Sequence, residues 1–506
     1  MSSSNSSLNW IYQKFREPLD RLAFVLIGIL TVLLIALLIA GNQTAPRVRH
    51  FSWQQQQVGS DDRAFILTFS RPMNHGSVEE NLRIDPLLTG KISWAGRRMA
   101  YTLTQPIPYG QNFKLQLQAA RDLFAKPGDI ESLSEPFIGT FCSRDRAFVY
   151  LGASPEEQGQ LVLYNLTKQE TRILTPKDLV VMDYKIYPQG DRILFSALPR
   201  SEGGNARSNA SIYQVKTGIS LECSSQNDST TPPNSIELLK PEQILDSDQY
   251  QNLRFELSAD GKTILVNRIN LQNPSDSGLW IIREGRKPQP LGNQPGGNFL
   301  FTPDSKTVAI LQGQGVAILP LEPNSEPLDF IPKFEMLFDF TRDGTAAAMG
   351  TFNRDPKKST RSLFFFTNQG VETELFRTEG SILDAKFDPT NQILYCLITK
   401  LIEEEEEYRE EPLIAALNIE TKKLTPLVLL PNQRNIQMSL SPDGLGLLFD
   451  QESQNRSSAP TSADPTQSNS RLWLIPLDIN ALIKEDVPQI EPQLLPFVGI
   501  RPQWLP

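Results

Sequence analysis

Covalent and acid–base chemistry needs nucleophiles, general bases or metal ligands, and this chain is sparing with them. It has two histidines, His50 and His75, and three cysteines, Cys142, Cys223 and Cys396. Both histidines precede residue 145, so no Ser–His or Cys–His pair can be built within the rest of the chain. No G-x-S-x-G elbow, H-E-x-x-H helix or Walker phosphate loop occurs. The QGQG stretch around Gly313 and Gly315 reads as a hairpin turn, because no helix pattern follows it. The cysteines are far apart with no C-x-x-C pair, so they make no metal site alone. Three unpaired thiols are expected, with one bonded pair as the alternative.

Carboxylates converging from distant segments are the remaining route to acid–base work. Asp260, Asp304, Asp343 and Asp443 recur in matching surroundings. Recurrence at one repeat position indicates architecture, since catalysis needs one asymmetric cluster; these residues are expected to shape turns. The run IEEEEEYREEP, containing Glu403 to Glu411, is expected to be a solvated hairpin, because adjacent like charges repel. A cation or a basic partner surface is the alternative, although the run lacks the Asp/Gly spacing of a calcium loop. The expectation is therefore no enzyme, no cofactor, and no catalytic, cofactor-binding or metal residue.

The elements around these residues are strands. A turn leading into an apolar strand occurs six times: YPQGDRILF, LSADGKTILV, FTPDSKTVAIL, FTRDGTAAAM, FDPTNQILYC and LSPDGLGLLF. Pro presets φ, Asp bonds nearby amides, and Gly tolerates positive φ. A second apolar strand follows in each unit and is found seven times: LVLYNL, SIYQV, GLWII, GVAILPL, SLFFFT, LIAALNI and RLWLIPLD. The mismatch resolves at the C-terminus, where GIRPQWLP aligns with the start of a unit and places Trp504 in an inner strand. RAFVYL, LVLYNL and TRILT then complete that unit from the other end of the region. A ring closed by a blade split between its two ends leaves no exposed sheet edge to aggregate. Residues 145–506 are thus expected to form a seven-bladed β-propeller with a composite closing blade. Loss of 499–506 should destabilise it, whereas removal of 457–468 should matter little. Two polar stretches, CSSQNDSTTPPNS and ESQNRSSAPTSADPTQSNS, read as insertions between strands.

Between residues 47 and 142, short runs alternate with a period of two. In NFKLQLQ, Phe113, Leu115 and Leu117 face one way. AFILTF, KISW, MAYTL and FIGTF follow suit, separated by AGRR, PYGQ and KPGD turns. A β-sandwich is expected there. Upstream, Leu22–Gly41 reads LAFVLIGILTVLLIALLIAG with no charge, about 30 Å as a helix. One transmembrane helix at 22–41 is expected, after a short polar tail at 1–21. Lys14, Arg16 and Arg21 before it, against Arg47 and Arg49 after it, give a slight bias toward a cytoplasmic N-terminus.

Two resemblances join this reading. FSRPM, the strand ending in Trp94, PYGQNFKLQL and ARDL resemble the bacterial Ig-like domain first named from S-layer proteins. That family implies a spacer or adhesion module, with His75 in a variable, solvent-exposed turn. LSPDG and LSADGKTILV, followed by strands of the L-W/Y-hydrophobic type, resemble the TolB-like (PD40, WD40-like) propeller repeat over about 144–506. That resemblance implies an extracytoplasmic binding scaffold. With a net charge of −9, nothing points to nucleic acid. The expected function is a membrane-anchored extracytoplasmic scaffold for envelope or membrane-associated proteins. The alternative is a cell-wall polysaccharide binder or carbohydrate-active propeller using channel carboxylates.

Overall fold

The computed structural model describes residues 18–41, 45–124, 135–200, 210–223, 240–292, 297–313, 315–323, 325–355, 359–404, 407–452, 470–484 and 490–506. The tail 1–17, the cut at 457–468 and most of both polar insertions lie outside the described residues. The chain divides into two compact units. One comprises Met1–Gln54, Ala64–Thr102 and Lys114–Thr140; the other comprises Gln55–Arg63, Leu103–Phe113 and Phe141–Pro506.

In the first unit Pro18–Gly41 is an α-helix. The side chains described in it run from residue 22 to 36 and are exposed throughout, between 50% at Ile35 and 68% at Leu22 and Val32. Among the described residues no helix is long and apolar enough to cross a membrane.

The strands expected between 47 and 142 form at the expected places. Val48–Phe51, Ala64–Phe69, Arg98–Leu103 and Gly90–Ala95 make one four-stranded sheet. Gln57–Val58, Phe137–Ser143, Asn112–Leu117 and Leu82–Asp85 make another. Alternate residues are buried as the period of two requires: Phe65, Leu67 and Phe69 on one strand, Leu115 and Leu117 on another. Phe51 stands edge-on to Phe65 and Phe137, at 5.3 and 6.2 Å.

In the second unit six strand groups follow one another from 179 to 476, five of them complete four-stranded antiparallel sheets spanning 179–245, 250–290, 299–332, 336–378 and 382–429. The remaining strands join into one seven-stranded sheet, because the strand Gln493–Trp504 serves two blades. Its first half pairs with Ser470–Pro476 as the outer strand of one blade. Its second half pairs with Ala147–Gly152, with Ile500 opposite Leu151 and Trp504 opposite Phe148. Ala147–Gly152 continues to Leu161–Asn165 and then to Glu170–Ile173. Seven four-stranded blades result. Blade one is the composite, blades two to six are the five complete sheets in chain order, and blade seven is 438–476 with the first half of the last strand.

The cores show why these strands read as unbroken apolar runs. Each blade is buried on both faces: in blade six, Ile393, Tyr395 and Leu397 pack toward blade seven, while Leu394, Cys396 and Ile398 pack toward blade five. Tyr184 and Phe195 of blade two meet Val149 and Leu163 of blade one. Tyr187 and Leu194 meet Phe255 and Val266 of blade three, whose Leu265 and Leu279 meet Phe299 and Val308 of blade four. Ala309 and Val316 continue to Met349 and Phe364 of blade five. Leu448 and Leu472 of blade seven then meet Phe148, Tyr150 and Trp504 of blade one, which closes the ring.

Two expectations are corrected. Cys142 and Cys223 form a disulfide, with Cα atoms 5.8 Å apart, so three unpaired thiols is overturned; Cys396 alone is free, and buried. Distance along the chain hid the pair, because the end of the strand Phe137–Ser143 and the loop after Ser211–Lys216 meet only in the folded unit. His75 does not lie in a turn: it opens the short helix His75–Asn81, capped by the Asn74 side chain, and its ring stacks on Trp94 at 4.2 Å.

Candidate functional site

The repeated turns are built as their residue types dictate. Ser258 and Ser441 each open a turn, donate a hydroxyl to Asp260 and Asp443, and accept the N–H of Thr263 and Gly446 through the same oxygen. In the divergent FDPTN copy, Asp388 takes the serine's place and its carboxylate accepts the N–H groups of Gln392 and Ile393. The fourth turn residue has positive φ whether it is Gly444 (+73°), Ser305 (+60°) or Asn391 (+59°). Asp260, Asp304 and Asp343 are thus turn-formers, as expected. The Thr345 hydroxyl on Asp343 holds that carboxyl below its ordinary range.

Asp443 does more. It is buried, and its second oxygen accepts the Tyr109 N–H at 3.0 Å and the Arg146 guanidinium at 2.6 Å. Other segments of the same unit engage neighbouring turns. Arg342 of blade five donates to Ser60 Oγ at 3.0 Å and pairs with Asp61 at 2.9 Å. Arg63 donates to the Pro389 carbonyl of blade six. Arg144 donates to the carbonyls of Pro188 in blade two and Pro506 at the chain end. Residues 55–63, 103–113 and 144–146 therefore lie against the turn-bearing face of the propeller.

The first strands and their turns line an open cavity of about 970 Å³. Each blade contributes the residue two positions before its turn opens. In blades two, three, five and six these are Lys185, Glu256, Asp339 and Lys386; blades four, seven and one supply Leu300, Ser439 and Gln503. Lys185–Glu256 and Lys386–Asp339 pair across blade boundaries, whereas Arg254–Glu256 and Lys386–Asp384 pair within one strand. Lys185 meets Glu256 at 2.8 Å, and Arg254 meets the same carboxylate at 3.1 Å. Lys386 lies 3.9 Å from Asp339 and 3.7 Å from Asp384, and Asp339 also accepts the Phe387 N–H. Enclosure by the ring pushes the Asp339 carboxyl up. Burial alone would depress Lys386, but Asp384, Asp339 and Glu256 outweigh it and hold its ammonium charged. Between them the lining is mixed, with apolar Ile186, Phe301, Phe340 and Trp504 beside polar turn residues such as Asp260, Asp304 and Asp388.

Sequence reasoning missed this charged ring, although a signal was present: once the turns are aligned, four of the seven copies carry a charge at one shared position. His50 and His75 both belong to the other unit. The Glu403–Glu411 segment is a long hairpin of blade six, with Glu404 opposite Glu407; residues 405 and 406 lie outside the described residues. Gly313 and Gly315 flank a hairpin, as expected. Among the described residues no group of three or more His, Cys, Asp or Glu is placed to hold a metal ion.

No family model matches the chain, and no curated protein matches it. Solved structures similar to it include TolB from Acinetobacter baumannii, at 10% identity and a TM-score of 0.38 over 84% of this chain and 83% of that one. An oligogalacturonate lyase from Vibrio parahaemolyticus is similar at 11% identity and a TM-score of 0.42, over 61% and 88%. The hydrazine synthase of Kuenenia stuttgartiensis is similar at 12% and 0.36, over 60% and 79%. At that level of similarity the fold is read from this chain's own strand pairing.

Proposed function

We propose that this protein is a membrane-anchored, extracytoplasmic scaffold whose propeller binds envelope or membrane-associated proteins. The observation carrying the reading is the internal neutralisation of the channel: Lys185, Arg254 and Lys386 are each engaged by a carboxylate of the ring. Such a ring is organised for rigidity, and rigid frames suit binding surfaces because little ordering is lost on association. Anchoring is supported by the apolar helix Pro18–Gly41 with its exposed Leu and Ile side chains. An extracytoplasmic location is supported by the Cys142–Cys223 disulfide, since such bonds persist in oxidising compartments. In chain order the sheets at 47–142 stand between helix and propeller, and we read them as an Ig-like spacer.

Affinity capture from solubilised membranes tests this, using the full chain and a chain ending before residue 145 as baits. Proteins retained by the full chain alone are the expected result. Retention of nothing specific in repeated captures, or binding and turnover of cell-wall glycans by the full chain, would replace the reading with the polysaccharide alternative.

A further inference from the structure

The end of the two sheets at which the chain arrives from the helix is basic and apolar at once. Main-chain bonds fix which segments share that end. The Arg47 N–H donates to Ser70 Oγ, and the Arg47 carbonyl accepts the Ser70 N–H. The Pro46 carbonyl accepts the Glu135 N–H, and the Arg97 carbonyl accepts that of Phe69. The Arg121 carbonyl accepts the Asn74 N–H, and the Pro72 carbonyl accepts that of Leu123. Segments 45–49, 69–74, 95–98 and 121–124 therefore meet. Arg47, Arg97, Arg98 and Arg121 are exposed there, beside Leu123 at 51% and Phe124 at 78% exposure. Of the neighbouring carboxylates, Asp122 is buried and pairs with Arg71 at 3.7 Å, and Glu79 accepts the Trp94 indole N–H at 3.2 Å. The exposed Glu80 and Glu135 leave the arginines in excess.

We propose that this end is a docking surface for anionic lipid headgroups, which holds the sheets against the bilayer beside their own helix. The placement rests on the anchoring reading. Pro46 follows the helix end Gly41 by five residues, so the chain spans at most about 18 Å between them. A helix seated in a bilayer thus keeps this end within reach of the headgroups. The chemistry selects the lipid. Guanidinium groups match phosphate through paired N–H donors, and each basic side chain near an anionic surface strengthens binding about 5-fold. Arginines alone would suit any acidic partner. Leu123 and Phe124 among them favour a membrane, whose boundary offers phosphate and hydrocarbon side by side.

The full chain, reconstituted into vesicles of phosphatidylcholine alone or mixed with phosphatidylglycerol, carries the test. Flotation reads attachment and hydrogen exchange reads the contact. Amides of 69–74 and 121–124 should exchange several-fold more slowly with phosphatidylglycerol than without it, while those of the strand 393–398 stay unchanged. High salt should shrink the difference, because it screens the headgroup charge. Arg98→Gln with Arg121→Gln should weaken docking about 25-fold, and Phe124→Ser about 10-fold. Both variants alter exposed side chains only and should melt with the wild type. Flotation with both lipids but no protection that depends on phosphatidylglycerol would overturn the docking surface and leave the anchor standing. Flotation and protection with phosphatidylglycerol vesicles alone would uphold the surface and remove the anchor. Flotation with neither would overturn both.

Discussion

Trp504 gives the ring closure its sharpest test. It sits third from the C-terminus, where chain ends ordinarily fray, yet it is 7% exposed. Its ring stands edge-on to Phe148 at 5.7 Å and shares a core with Leu448 and Leu472 of blade seven. Its N–H donates to Ser439 Oγ, a bond that survives side-chain truncation. Trp504→Ala should therefore cost the ~3–5 kcal/mol typical of removing a buried aromatic. At about 2 °C per kcal/mol for a unit of this size, Tm should fall by roughly 6–10 °C. The indole Nε1 has no hydrogen-bond partner among the described residues, so Trp504→Phe loses only volume and should cost less than half as much. Ile173→Ala, on the outer strand of the same blade and 38% exposed, should cost less than ~1 kcal/mol. Circular-dichroism melts of the full chain decide it. A Trp504→Ala protein melting within 2 °C of wild type, or together with Ile173→Ala, would refute closure by the terminal strand.

The disulfide predicts a thiol count: under denaturing, non-reducing conditions the chain should show one reactive thiol, Cys396, and all three only after reduction. Because the bridge spans 81 residues, the loop-entropy relation gives about 4.5 kcal/mol as its contribution, so Cys142→Ser with Cys223→Ser should lower the denaturant midpoint clearly. Among the turn aspartates, Asp443→Ala should cost about 3–5 kcal/mol, since it strands Arg146 and the Tyr109 N–H. Asp304→Ala should cost only about 1 kcal/mol, because Asp304 is exposed to solvent and bonds only within its own turn. Equal melting temperatures for those two variants would contradict the distinction.

The blades were legible in sequence because what specifies them is local. A Ser or Asp opening a turn, a positive-φ residue three positions on, and a strand buried on both faces all lie within a dozen residues. Trp504 was placed correctly because its strand carries the same surroundings as the six complete copies. The channel was not legible, for two physical reasons. Its cross-blade pairs join residues far apart in sequence, as Lys185 joins Glu256 across 71 residues, so no short window contains both of those partners. In addition, the inner strands are bulged at Met182, Leu253, Phe338 and Leu383, where the register slips by one. A slip of one residue reverses which side chains face the channel, and alternation counted along the strand then assigns the wrong face. Recurrence also misleads about individual copies. The aspartates recur because every blade needs its turn, but only Asp443 is sealed beneath the Tyr109 main chain and Arg146. The repeat sets the geometry of a position, and whatever packs against one copy decides what that copy does.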